Sequence, residues 1–145
     1  MTAQQNIRLL RDLFLAMDKP GPESEKTMER ILDENIAWIE IPWGKTLHGR
    51  DQVIATVKHT WDTGIPSHPL ENVFADNEWV CVEYILAGTK TGGEMLFRGG
   101  EARGRLNVPA TSVFHVHDGK VDLAREYIDL LTLQQQLGVE PKTAS

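Results

Sequence analysis

Residues 78–128 constrain the fold most. "EWVCVEYILAG" and "RLNVPATSVFHV" are dense in β-branched and aromatic residues and read as strands. "VDLAREYI" reads as a third, and "HDGK" before it places Asp118-Gly119 at the centre of a tight hairpin turn. A chain with this much strand in its second half must build a sheet and cover one face of it.

The first half supplies the cover. In "NIRLLRDLFLAM", Ile7, Leu10, Leu13, Phe14 and Met17 recur at helical spacing, and the helix is expected to stop at "DKPGP", where Pro20 and Pro22 cannot continue it. Ser24 is predicted to cap a second helix running to Leu32, with Met28, Ile31 and Leu32 inward. "IAWIEI" alternates as a strand closed by Pro42, "WGKTLHG" reads as a loop, and "RDQVIATVKHTW" returns to helical spacing through Val53, Val57 and Trp61. "ENVFADN" is a short strand and turn. "TKTGGEMLFRGGEARG" is a glycine-rich exposed hairpin tip, Pro109 is expected to bend or bulge its strand, and Asp129 to cap a closing helix "LLTLQQQLG". Segregated helices and antiparallel strands define an α+β class, in which a curved sheet around one long helix encloses a cavity, a natural binding site.

With 145 residues the expectation is a single domain, residues 1–145. The net charge of −6 argues against nucleic acid or an anionic membrane as the main partner. One cysteine, Cys81, excludes an internal disulfide and a Cys-rich zinc site. "MTAQQNIRLL" lacks the apolar core of a secretion signal, and no run of the sequence is long and apolar enough to span a bilayer, so a cytoplasmic protein is expected.

Two carboxylates stand out because they interrupt apolar strands: Glu40, between Ile39 and Ile41, and Glu126 in "LAREYIDLL". Alternation sets Trp38, Glu40 and Pro42 on one face with Ile39 and Ile41 on the other, and Ala124, Glu126 and Ile128 opposite Leu123, Arg125 and Tyr127. Each face has apolar members, so periodicity leaves open which one is inside. His115 and His117 share a strand face at a spacing that can chelate a metal, but a site needs further ligands and a second shell, so solvated histidines and no metal are expected. His48 is assigned to the loop before the third helix. The glycines of residues 89–104 lack the GK[ST] ending of a phosphate loop.

The order of elements resembles the cone-shaped nuclear transport factor two fold. Within that superfamily, "IEIPWGKTLHGRDQV", "AGTKTGG" and "VPATSVFHVHDGKVDLAREYIDLLTLQQQLG" resemble the SnoaL-like polyketide cyclases and limonene epoxide hydrolases. The epoxide hydrolases use an aspartate–arginine–aspartate set with a tyrosine and an asparagine. Here those positions hold Tyr84 for the arginine and Leu86 for the first aspartate, Glu126 for the second aspartate, and Trp38 and Glu40 for the tyrosine and asparagine. The cyclases need one acidic residue on the last strand, where Glu126 falls.

The resemblance implies that Trp38, Glu40, Tyr84, Leu86 and Glu126 point into the cavity, with Ile128, Phe14 and Trp61 among the substrate contacts and Cys81 facing away. Burial beside apolar side chains raises a carboxyl pKa, and a second carboxylate raises one of the two further. Glu126 is then the main base or acid, Glu40 its partner, and Tyr84 a hydrogen-bond donor to a developing oxyanion. The expectation is a cofactor-independent acid–base enzyme, a cyclase or isomerase, acting on a small apolar oxygenated molecule. Epoxide hydrolysis by a rebuilt acid pair, or a non-catalytic binding or dimerisation module, are the alternatives. A homodimer through the outer sheet face, with Ile39, Ile41 and Cys81, is also implied.

Overall fold

The computed structural model describes residues 1–64, 67–90, 97–98, 104–138 and 140–141. Helix α1 (Ala3–Asp18) begins at a capping box, in which the Gln5 amide donates to Thr2 Oγ1 (3.2 Å) and the Thr2 amide to Gln5 Oε1 (2.8 Å). Its buried stripe is Leu9, Leu10, Leu13, Phe14 and Met17. Helix α2 (Pro22–Ile31) starts three residues earlier than expected. Pro22 lacks an amide hydrogen and suits the first helical turn, so Gly21 is the cap and Ser24 lies buried inside the helix.

Strand β1 (Leu32–Glu40) follows α2 directly, longer than "IAWIEI" implied, and ends in a 3-10 turn at Ile41–Trp43. The segment expected to be a loop instead contains strand β2 (Lys45–His48). Gly44, at φ 60°, reverses the chain so that Lys45 pairs with Glu40 and Leu47 with Trp38, which buries Leu47. The β2 sequence, KTLH, holds a single apolar residue, so no alternation announces the strand. Helix α3 (Arg50–Thr63) turns Val53, Ile54 and Val57 inward.

The remaining strands are β3 (Leu70–Ala75), β4 (Trp79–Lys90), a two-residue β5 (Phe97–Arg98), β6 (Gly104–His117) and β7 (Lys120–Ile128), followed by α4 (Leu130–Leu137) and a two-residue β8 (Glu140–Pro141). The β6–β7 turn has positive φ at Asp118 (49°) and Gly119 (73°), as a two-residue hairpin of this hand requires. Asp129 caps α4 as expected, accepting from the Thr132 amide. Of the glycine-rich hairpin tip, residues 91–96 and 99–103 lie outside the described residues.

Pro109 does not bulge its strand. The β4–β6 register runs unbroken through Ile85–Pro109. The Ile85 amide turns the other way, to the Pro69 carbonyl (3.0 Å), so Pro109 owes β4 no hydrogen bond there. On its other side β7 pairing ends at Ala110–Ile128, and the Asp129 amide donates to the Pro109 carbonyl (3.1 Å).

The six main strands form one curved, unclosed sheet in the order β2-β1-β7-β6-β4-β3, giving the α+β cone expected. One detail was not foreseen: β1 and β7 run parallel, with Trp38 opposite Ala124 and Glu40 opposite Glu126. The concave face packs on α1, α2 and α3 around one hydrophobic core. Among the described residues no helix is long and apolar enough to cross a membrane.

Candidate functional site

The parallel β1–β7 pair brings the two glutamates together. In-register neighbours on adjacent strands point to the same face, about 4.8 Å apart along the sheet. Glu40 and Glu126 are such neighbours, and both face a cavity of about 510 Å³ between the concave face and α3. Trp38, Leu86 and Ile128 complete the sheet side of this wall, while Val53 and Val57 on α3 face it. Lys45, Thr56, Thr60, His59 and His68 add polar groups. No arginine of the described residues lines it.

The carboxylates are not equivalent. Burial is the main reason the Glu126 carboxyl is pushed up from 4.5 to about 7, and repulsion from Glu40 adds to it. His68 and the Trp38 indole N–H favour its charged form and offset part of the rise. Glu40 is also raised by burial, but Lys45 beside it works the other way. Repulsion from Glu40 adds to burial at Glu126, which keeps its proton toward neutral pH.

Three of the expected residues are not on this wall. Tyr84 is buried behind it, with its hydroxyl 2.9 Å from Ser112 Oγ, and Ser112 is the cross-strand neighbour of Glu126. Burial first, then the charge of Glu126, hold the Tyr84 hydroxyl well above its ordinary pKa, so it stays protonated. Phe14 stands edge-on to Tyr84 (5.0 Å), Phe114 (5.9 Å) and His68 (6.2 Å) in the core. Trp61 turns from the cavity to tie two helices together, its indole N–H donating to the Met17 carbonyl at the end of α1 (2.6 Å).

The sequence reading missed a further pair. His68 precedes β3 in a segment tacked onto β4, through Ser67–Ala87 backbone bonds (3.1 and 3.3 Å) and the Pro69 carbonyl. Its backbone amide donates to Asp18 Oδ2 (2.7 Å), and its Nδ1 bonds Asp18 Oδ1. The signal was Asp18 itself. A carboxylate in the last turn of a helix opposes the helix dipole and calls for a partner.

The other histidines lie elsewhere. His48 is exposed in β2 rather than a loop. His115 faces outward, bonded to Asp122 Oδ1 (2.6 Å) and against the Trp79 ring (4.7 Å). Cys81 is on the same outer face, where burial and Glu83 push its thiol up. Among the described residues no three His, Cys, Asp or Glu side chains gather to hold a metal.

A curved, open sheet closed over by helices, with its cavity at one end, is the architecture of the nuclear-transport-factor-two-like superfamily. Residues 11–123 match the SnoaL-like domain family, and the chain belongs to it. It is similar to a protein described as a SnoaL-like polyketide cyclase from Jannaschia sp. CCS1 (23% identity, covering 97% of this chain and 96% of that one, TM-score 0.78). It is also similar to TsrD from Streptomyces laurentii (16% identity, 95% and 98% covered, TM-score 0.79). A third likeness is to an LEH-like epoxide hydrolase from M. tuberculosis (16% identity, 93% and 90% covered, TM-score 0.70). At these identities the likeness establishes the fold and not the reaction. No curated protein sequence matches the chain.

Proposed function

We propose that the protein is an acid–base enzyme of the cyclase or isomerase type, acting in this cavity on a small, largely apolar, oxygenated molecule. The observation that carries the proposal is the placement of Glu126 on the cavity wall, half-buried beside apolar side chains and a second carboxylate. A structural glutamate gains nothing from that position, because burying a charge without a firm partner is costly. A group with a pKa near 7 exchanges protons in both directions at neutral pH, which suits a general acid or base. Glu126 removes or returns the proton at the reacting carbon. Glu40 repels the charged form of Glu126 and so helps hold its proton. Trp38, Leu86 and Ile128 give the substrate an apolar seat. Tyr84, engaged with Ser112, supports the wall from behind. The chemistry requires no cofactor.

Epoxide hydrolysis is the second reading, supported by the likeness to an LEH-like epoxide hydrolase and by two neighbouring carboxylates suited to orienting a water. The missing arginine weighs against it, since that reaction needs a strong donor to the opening oxygen. Deuterium uptake from D₂O into 2-tetralone, an apolar ketone with acidic C–H bonds, and hydrolysis of cyclohexene oxide separate the two. The first reading expects exchange that Glu126→Gln abolishes and no diol; diol formation without exchange supports the second. Retention of both probes with no turnover of either supports a non-catalytic binding module.

We also propose a homodimer through the convex face, where Phe74, Trp79 and Tyr127 remain exposed. Sedimentation equilibrium tests it: Tyr127→Glu shifts a dimer toward monomer, and a monomeric parent chain ends the proposal.

A further inference from the structure

We propose that His68 is a second catalytic residue, lining the same cavity as Glu126, and that Asp18 is its positioning residue. The inference rests on the acid–base reading of Glu126.

Asp18 takes both the backbone amide of His68 and its Nδ1, so the ring cannot turn without breaking a hydrogen bond. The Phe14 and Tyr84 rings stand edge-on to the imidazole at 6.2 and 5.8 Å and close its remaining freedom. Trp61 holds the Met17 carbonyl, fixing the helix end that carries Asp18. Both partners are largely shielded, with side chains 12% and 22% exposed for His68 and Asp18. The arrangement determines which nitrogen works. With Nδ1 committed to a carboxylate, the neutral ring carries its proton there, and Nε2 is left as the free nitrogen. No described residue bonds Nε2, and His68 lines the cavity. Nε2 is thus open to exchange a proton with whatever occupies the cavity. Asp18 does not serve the helix, since its charge opposes the dipole there.

Glu126 and His68 thus form a complementary pair on one cavity. In the working state Glu126 is ionised and His68 is protonated on both nitrogens. Glu126 takes a proton from a substrate carbon beside a carbonyl. That C–H pair becomes the new C=C bond, the carbonyl π pair moves to oxygen, and Nε2–H gives its proton to that oxygen. The enol leaves Glu126 neutral and His68 neutral with Nδ1–H on Asp18; the reverse transfers restore the start.

The test combines ¹⁵N NMR of the histidine rings with deuterium uptake into 2-tetralone. His68 is assigned by its loss in His68→Asn, whose side-chain amide can still donate to Asp18 but places nothing at Nε2. The parent chain is expected to hold neutral His68 as the Nδ1–H tautomer, and Asp18→Asn to give a mixture with slower exchange. His68→Asn should lower exchange about 10²-fold with its melting curve kept, while His117→Gln on the surface leaves exchange unchanged. An Nε2–H tautomer in the parent chain overturns the role of Asp18. Undiminished exchange in His68→Asn, with exchange lost in Glu126→Gln, overturns His68 alone and leaves the Glu126 reading standing. Exchange that survives Glu126→Gln, or a parent chain that gives none, overturns both.

Discussion

Along β6 and β7 the concave face of the sheet changes character. Toward the Asp118–Gly119 turn, Phe114, Val116, Val121 and Ala124 are buried in the same core as Leu10, Leu13 and Ile31. Toward the other end, Glu126 and Ile128 face open volume. Cross-strand pairs explain the difference. In the packed half a large Phe114 stands opposite Ala124, while in the open half the β6 partners are small, Ser112 beside Glu126 and Ala110 beside Ile128. Small side chains leave space that the helices do not fill, and the polar groups of the fold gather around it. One end holds the sheet together; the other gives up packing for a cavity and keeps a carboxyl near its titration point.

The largest expected effect breaks the open half only. Glu126→Gln is isosteric, so the fold should persist while turnover falls by roughly 10²–10⁴-fold, read as deuterium uptake beside a thermal melt. Phe114→Ala attacks the packed half instead. Phe114 is fully buried with edge-on contacts to Phe14 and Trp38, and its loss should cost about 3–5 kcal/mol by urea unfolding. Equal destabilisation by both substitutions would erase the contrast.

The third effect is a stability difference with a defined pH window. The unfolded chain releases the Glu126 proton near 4.5 and the folded chain only near 7, so the folded state holds more protons between those values. Stability contributed by this group is therefore full below the lower value and lost as pH rises through the higher one. Glu126→Gln removes the penalty. Relative to the parent it should gain on the order of 3 kcal/mol above pH 7 and nothing near pH 4, measured as the difference between the two unfolding curves. A constant difference across pH would contradict it. Smallest is Ile128→Val at the half-open wall, expected to cost less than about 1 kcal/mol by the same unfolding assay, because water already reaches part of that side chain.

Much of this was legible in the sequence for physical reasons. Strong alternation in residues 78–128 and the Asp118-Gly119 pair specify strands and their turn locally. Helical spacing specified α1 and α3. The facing of Glu40 and Glu126 was not local information: it came from the family resemblance, and their juxtaposition depends on a parallel pairing between strands separated by about half the chain. β2 was invisible because a four-residue edge strand is set by its partner, and His68 because its meaning comes from Asp18, fifty residues away. Tyr84, Phe14 and Trp61 carried the right inward facing, but alternation and spacing cannot tell the cavity wall from the layer behind it.

The most direct measurement is the titration of the Glu126 side-chain carboxyl by ¹³C NMR in the intact protein, assigned by its loss in Glu126→Gln. The expected midpoint is about 7, with a smaller value in Glu40→Gln, where the neighbouring charge is gone. A midpoint at the ordinary 4.5, unmoved by Glu40→Gln, would mean that the carboxyl is solvated and that the cavity has no proton-transfer group at its centre.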